Sequence, residues 1–529
     1  MSGRTPIFQT LSRLISRAHT NQPEGRGGLG RRELLGLGAG AAGAALLGGC
    51  VGPEESDESA EDSSASLKAI NADIGIVGAG MAGLACAYQL KKSGCNATLH
   101  EANSRPGGRV WSLSGFFPGQ VCERGGELID TPHKTMIGYA QEFGLALEDI
   151  TKPARDTEYL FGGQRYSEAE MVDQYRVLVD AMRDDLRAIG APTAASFTPA
   201  EQALDNMSLR EWLVSRGAPP AIRALLDVAY TIEYGLDAGQ QSSLAFLLFA
   251  KASRQAKLRL WGNFSDERYH VVGGNQQIPE AIAARLPNQI QYGRRLLAVK
   301  KTAAGRVQLT FQQGSSTVTA THDAVVLTLP FTVLRDVSLH ANLGLPPSKL
   351  AAIANVQYGT NAKLMVGFNG RPWVDVGSNG AAYSDLPYLQ TTWETNPINA
   401  TSSRAIITDY TGGALGASLV PNKLQQQTAQ FLNNFDTIFP GAKALARKDA
   451  SGNYVAHLEP WPSNPNTKGS YTANQTGYFT KIAGNEGPQV GNVYFGGETT
   501  DSFYSWQGFM EGAALSGLRN AAEILADFA

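Results

Sequence analysis

An α/β fold is predicted for this chain from three neighbouring observations. The run Ile74-Gly75-Ile76-Val77 has the length and apolar character of a buried strand, and Gly78-Ala79-Gly80-Met81-Ala82-Gly83 follows it at once. Leu84 to Ser93 then carries a helical stripe at Leu84, Ala87, Tyr88 and Leu90. A second strand is expected at Ala97 to His100, closed by Glu101, 18 residues after Gly83. Gly78, Gly80 and Gly83 permit a tight turn and bring backbone N–H groups close to a pyrophosphate at the positive end of a helix. Glu101 is then placed to accept hydrogen bonds from the adenosine ribose. Together these elements describe a Rossmann-like dinucleotide-binding unit.

The remaining composition fits a large globular enzyme. The chain has 529 residues, 43% hydrophobic and 18% charged, which excludes a disordered polyelectrolyte. Its net charge of −3 offers no basic field for nucleic acid. Seven scattered histidines show no metal-ligand spacing, so no metal is expected. Cys86, Cys95 and Cys122 are the cysteines after Cys50, an odd number without a disulfide pattern.

Residues 1–49 read as a secretory signal: six arginines against two acids, the pair Arg31-Arg32, a Gly/Ala/Leu run too short to span a membrane, and Gly48-Gly49-Cys50. This leader resembles a bacterial twin-arginine signal with a lipoprotein box, which implies export to the periplasm or an extracytoplasmic membrane surface, with Cys50 as a lipid anchor. Residues 50–66 interleave Glu54, Glu55, Asp57, Glu58, Glu61 and Asp62 with serines and read as an acidic tether.

Arg105-Pro106-Gly107-Gly108-Arg109, after Glu101-Ala102, resembles the extended FAD fingerprint of the flavin amine oxidase superfamily, which includes monoamine and L-amino acid oxidases. The resemblance extends through Glu123-Arg124-Gly125-Gly126-Glu127, Val271 to Asn275, Arg295 to Val299, Ala324 to Pro330, Val493 to Thr499 and Trp506 to Ala513. It implies FAD contacts from Gly78, Gly80, Met81, Ala82, Gly83, Glu101, Ala102, Gly108, Arg109, Gly125, Gly126, Glu127, Leu296, Gly497, Glu498 and Met510. It also implies an FAD-binding domain formed by 69–130, 268–340 and 485–529, interleaved with an α+β substrate-binding domain formed by 131–267 and 341–484. Helical spacing over Tyr166–Gly190 and Ser208–Arg223, with Ser242–Ala252, marks 131–267 as a helical insertion.

Four residues carry the expected chemistry. Lys363 alone interrupts the apolar strand Asn361 to Val366, and it matches the family lysine that holds a water near flavin N5. Ser470 stands where monoamine oxidases carry a flavin-bound cysteine, so FAD is expected to be non-covalent. Tyr471 and Phe509 fall where the family places two aromatic rings beside the substrate amine. Trp461 is a candidate for lining the same cavity, and Glu127 for attracting a second substrate cation, although neighbouring backbone donors would also satisfy it. Leu128 stands where venom L-amino acid oxidases hold the substrate carboxylate with arginine.

The expected activity is FAD-dependent oxidative deamination of an L-amino acid to a 2-oxo acid and ammonia, with oxygen or a quinone as electron acceptor. Mono- or polyamines are the alternative substrates. A flavin-binding electron-transfer lipoprotein, and a desaturase or porphyrinogen oxidase sharing the Gly-Gly-Arg turn, stand as rival readings.

Overall fold

The computed structural model of the chain describes residues 71–151, 155–257, 266–397, 403–501 and 506–529. The signal, the tether and Cys50 lie outside the described residues.

Ile74–Val77 sits at the centre of a five-stranded parallel sheet, between Ala324–Leu327 and Ala97–His100, with Val493–Phe495 and Ile290–Gln291 at the edges. The central strands are buried along their whole length, which explains why they read as continuous apolar runs rather than alternating ones. The helix after the first strand runs Met81–Lys92 and so begins three residues earlier than its apolar stripe. Its packing partner is the C-terminal helix Met510–Asp527, and contact is close enough that a Cβ on Gly517 would lie 2.1 Å from the Ala82 carbonyl oxygen.

A seven-stranded sheet builds the other half, in the order Ala456–Pro460, Ala362–Phe368, Ala405–Thr411, Thr391–Glu394, Ser378–Ser384, Asp156–Phe161, Gln164–Tyr166. Besides its helices, the 131–267 insertion carries the last two strands: residues 156–166 form a hairpin on that sheet, turning at Gly162-Gly163. The helical spacing at Ser208–Arg223 is carried by two helices, Leu209–Ser215 and Pro220–Tyr234, because Gly217 takes a left-handed φ of 65° and Pro219-Pro220 restarts the chain. Ser167, Thr198 and Ser208 each cap a helix with a glutamate three residues on, so these helices carry their own start signals.

The strand Ala362–Phe368 pairs with Ala405–Thr411 so that Lys363 stands opposite Tyr410. Tyr410 in turn opposes Thr391, two residues from Trp393 on the same face of the next strand. This register places Lys363, Tyr410 and Trp393 on one side of the sheet.

Candidate functional site

One 610 Å³ cavity runs from the ends of the parallel strands to that face of the seven-stranded sheet. At its first end, Gly78 adopts φ 101° and the helix Met81–Lys92 begins without a side-chain cap at Gly80, leaving its first N–H groups directed at the cavity. The second glycine turn lies against the first: the Gly107 N–H donates to the Ala79 carbonyl at 2.8 Å, and Gly107 and Gly108 take φ values of 100° and 57°. Glu101 ties the first turn to the segment that leads into the second, accepting from the Ala79 N–H at 2.7 Å and from the Asn103 N–H at 2.7 Å. Met81, Ala82, Ala102 and Leu296 line the same end. Gly83 does not line it; its position is a packing one, since a Cβ there would lie 2.0 Å from the Gly78 carbonyl oxygen.

In the middle of the cavity Arg109 donates to Glu498 Oε1 at 2.9 Å and to the Ser470 carbonyl at 2.8 Å. Glu498 is 4% exposed, and its Oε2 has no hydrogen-bond partner among the described residues. A buried carboxylate oxygen in that state calls for a donor. Gly497, Gly125, Gly126 and Met510 complete this stretch. The two loop glycines are required by space: a Cβ on Gly125 would lie 1.7 Å from the Arg109 carbonyl oxygen, and one on Gly126 would lie 2.6 Å from Met510 Sδ. Trp461 packs on Gly125 and donates its indole N–H to the Arg124 carbonyl at 2.9 Å.

At the far end Lys363 is buried with all three ammonium protons engaged. Nζ donates to the Glu123 carbonyl at 3.1 Å, the Gly125 carbonyl at 3.0 Å and Glu127 Oε2 at 2.6 Å. The other carboxylate oxygen of Glu127 accepts from the Trp393 indole N–H at 3.0 Å. Glu127 is therefore satisfied by two side chains rather than by backbone donors, and its charge is neutralised inside the protein. That opposes a role in attracting a second substrate cation. Lys363 Nζ lies 5.9 Å from the ring centroids of both Trp393 and Tyr410. The Tyr410 and Tyr471 hydroxyls are 2.8 Å apart, and Phe509 stands edge-on to His133 and Trp506. Trp393 and Tyr410, with Tyr471 bonded to Tyr410, make the wall beside Lys363 aromatic, and Phe509 lines the same cavity. Trp393 and Tyr410 carry no local signature in the sequence; only strand register brings them to Lys363.

Ser470 donates its hydroxyl to Asn361 Oδ1 at 2.6 Å, and among the described residues no cysteine lines the cavity. Cys86, Cys95 and Cys122 are free and buried elsewhere. Among the described residues no group of His, Cys, Asp and Glu could hold a metal ion.

The family model for flavin containing amine oxidoreductases matches residues 81–525. The chain belongs to this family. YobN of Bacillus subtilis (strain 168), provisionally named an L-amino-acid oxidase, is 25% identical to this amine oxidoreductase over 85% of the chain and 94% of its own length. AofH of Mycobacterium tuberculosis (strain ATCC 25618 / H37Rv), provisionally named a flavin-containing monoamine oxidase, is 26% identical over 86% of the chain and 96% of its own. Among solved structures, cyclohexylamine oxidase from Brevibacterium oxydans IH-35A has the same fold, with a TM-score of 0.72 at 22% identity, covering 86% of this chain and 99% of the other.

The amine oxidoreductase's own residues fit FAD. The uncapped helix start offers N–H groups to a pyrophosphate, the two glycine turns meet so closely that a Cβ on Gly108 would lie 3.2 Å from Gly80 Cα, and Glu498 Oε2 is a buried acceptor without a donor among the described residues. Replacement of Glu498 by Ala is expected to lower FAD affinity by about 10- to 100-fold, the worth of a hydrogen bond to a buried charge, read by titrating the apoprotein with FAD.

Glu123, whose carbonyl helps hold Lys363, is fully buried, and burial pushes its carboxyl from 4.5 up to about 7. A carboxyl whose folded value is raised binds its proton more tightly in the folded than in the unfolded chain. Its contribution is therefore lost as pH rises from about 4.5 through about 7, and the full penalty stands above that window. Glu123→Gln is expected to be more stable than wild type at pH 8 by up to about 3 kcal/mol, the difference vanishing toward pH 4, as read by denaturant unfolding at the two pH values.

Proposed function

We propose that the protein is an exported FAD-dependent amine oxidase acting on an apolar primary or secondary amine. The observation that carries the reading is the aromatic wall of Trp393, Tyr410 and Tyr471 beside a lysine whose charge is internally paired, in a cavity that Phe509 also lines. Such a wall receives a flat or aliphatic amine and excludes water around its α-carbon. Bound FAD supplies the two-electron acceptor for a hydride from that carbon. The chain's contribution is to orient the amine against the aromatic rings, to hold Lys363 fixed through Glu127, Glu123 and Gly125, and to keep the cofactor in place non-covalently. Imine hydrolysis releases the carbonyl product together with ammonia from a primary amine, or with a primary amine from a secondary one.

Among the described residues no arginine joins the aromatic wall, which favours an amine over an amino acid. Leu128 lines the cavity, and the nearby cations are committed: Lys363 to Glu127, Arg109 to Glu498 and Arg124 to Glu459. A substrate carboxylate buried there would lack a partner, which is costly. An L-amino acid is the second reading, supported by the naming of YobN and by the L-amino-acid oxidase of Protobothrops flavoviridis, 22% identical over 85% of the chain.

Aerobic incubation of the FAD-loaded protein with a panel of primary amines and L-amino acids, reading ammonia and peroxide, separates the two. Products from amines alone support the first reading, and products from amino acids alone transfer the assignment to the second. Ammonia without peroxide moves the acceptor from oxygen to a quinone. Export and lipidation at Cys50 remain part of the proposal on the strength of the basic leader and acidic tether. N-terminal mass determination of the protein from its native host tests them, with an uncleaved Met1 counting against both.

A further inference from the structure

At the end of the main cavity that holds Glu101 and Leu296, the side chains of Arg294, His100, His322 and Asp73 form a hydrogen-bonded relay. Arg294 Nη1 lies 3.2 Å from His100 Nδ1. A guanidinium has only protons to offer, so Nδ1 is the lone-pair nitrogen of that ring. His100 therefore carries its proton on Nε2 and donates it to His322 Nε2 at 3.1 Å. His322 in turn carries its proton on Nδ1 and donates it to Asp73 Oδ1 at 2.8 Å. Both imidazoles are thus neutral, and reversing either tautomer would set two N–H groups against each other. Burial, with His322 and Arg294 alongside, lowers His100 from 6.5 to about 3 and keeps it neutral.

The local packing is built around these rings. Phe311 lies against His100, with ring centroids 4.5 Å apart. A Cβ on Gly75 would lie 2.4 Å from His322 Cδ2, which explains the glycine inside the apolar strand Ile74–Val77. His100 and Arg294 both line the cavity. The Arg294 main chain is pinned there as well, its N–H donating to the Glu101 carbonyl at 2.8 Å. Its side-chain Nε is buried and has no hydrogen-bond partner among the described residues. A buried donor in that state, at a cavity wall, calls for an acceptor from the cavity's occupant.

We propose that Arg294 is a further cofactor-binding residue, donating to the adenosine half of FAD, and that His100, His322 and Asp73 are positioning residues that aim it. The adenosine half is the occupant because Glu101 and Leu296, the residues expected at the ribose and the adenine, share this wall. The role is independent of which substrate the enzyme oxidises. Loss of the acceptor on His322 frees His100 to carry its proton on Nδ1, where the N–H faces Arg294 and turns the guanidinium away.

Titration of the apoprotein with FAD at neutral pH tests this in wild type, Arg294→Ala, His322→Gln, His322→Leu and the double variant Arg294→Ala/His322→Leu. Arg294→Ala is expected to weaken FAD binding at least about tenfold, with thermal unfolding of the apoprotein little changed. His322→Leu weakens binding in the same direction. His322→Gln keeps an acceptor and a donor, and stays within about threefold of wild type. The double variant binds no more weakly than Arg294→Ala alone, because the histidine acts through the arginine. Unchanged FAD affinity in Arg294→Ala overturns the binding role, and it decides the matter even if His322→Leu fails to fold. Additive losses in the double variant, or a His322→Gln as weak as His322→Leu, overturn the positioning role, since a histidine that only fills space would act with or without the arginine. None of these readings involves an amine, so failure here leaves the proposed substrate class standing, and failure of that class leaves this site standing.

Discussion

Lys363→Met is expected to lose turnover by about 100-fold or more while destabilising the fold by about 3–5 kcal/mol. Both effects follow from one arrangement. Lys363 is 5% exposed and shares its three protons among Glu127 and two carbonyls. Methionine fills much of the volume but donates nothing, so Glu127 is left as an uncompensated carboxylate with only the Trp393 indole for company. Breaking a buried pair from one side is far more costly than removing both partners. Lys363→Met/Glu127→Leu is therefore expected to recover much of the stability lost by the single variant, without recovering turnover. Thermal unfolding and steady-state rates on the three proteins check this. A single variant as stable and as fast as wild type would remove both assigned roles of the lysine.

The second large effect is expected at Gly125. A Cβ there would lie 1.7 Å from the Arg109 carbonyl oxygen, 2.9 Å from its carbon and 3.0 Å from Trp461 Cζ2. Two of these atoms are backbone and cannot rotate away. Relief requires parting the 123–127 segment from Arg109, which itself holds Glu498 and the Ser470 carbonyl at the middle of the cavity. Gly125→Ala should destabilise by about 1–3 kcal/mol or more and purify largely without FAD. Gly138→Ala is the matched control. Gly138 lies in the helix Lys134–Glu142, and a Cβ there would meet nothing within 4 Å. Alanine at that position should stabilise by up to about 1 kcal/mol and leave FAD content unchanged. Equal FAD content in the two variants would contradict the steric role given to the glycine loop.

The cofactor half of the molecule was legible because its signals are local. Gly78 to Gly83, Gly107-Gly108-Arg109 and Glu498 sit in short stretches where a turn or a close approach demands particular residues, so the order of motifs reveals the cavity. The hairpin at 156–166 also had a local signal, the Gly162-Gly163 pair directly after the apolar Tyr159-Leu160-Phe161, but it was masked by the helical spacing that begins at Tyr166. The substrate end was only partly legible. Lys363 stood out as a charge in an apolar strand, and Tyr471 and Phe509 by resemblance. Trp393 and Tyr410 lie 30 and 47 residues beyond Lys363 and join it only through the register of three antiparallel strands. The pairing of Glu127 with Lys363 depends on the 123–127 segment packing against that sheet. It could not be read from either segment, which is why Glu127 looked available for a substrate.

The central claim is that this cavity holds FAD against an amine. Anaerobic mixing of the FAD-loaded protein with a panel of apolar amines and L-amino acids tests it most directly, by watching the oxidised flavin absorbance. Bleaching by at least one member of the panel is predicted, with colour returning on admission of oxygen. A flavin that stays oxidised with every amine and amino acid would contradict the claim.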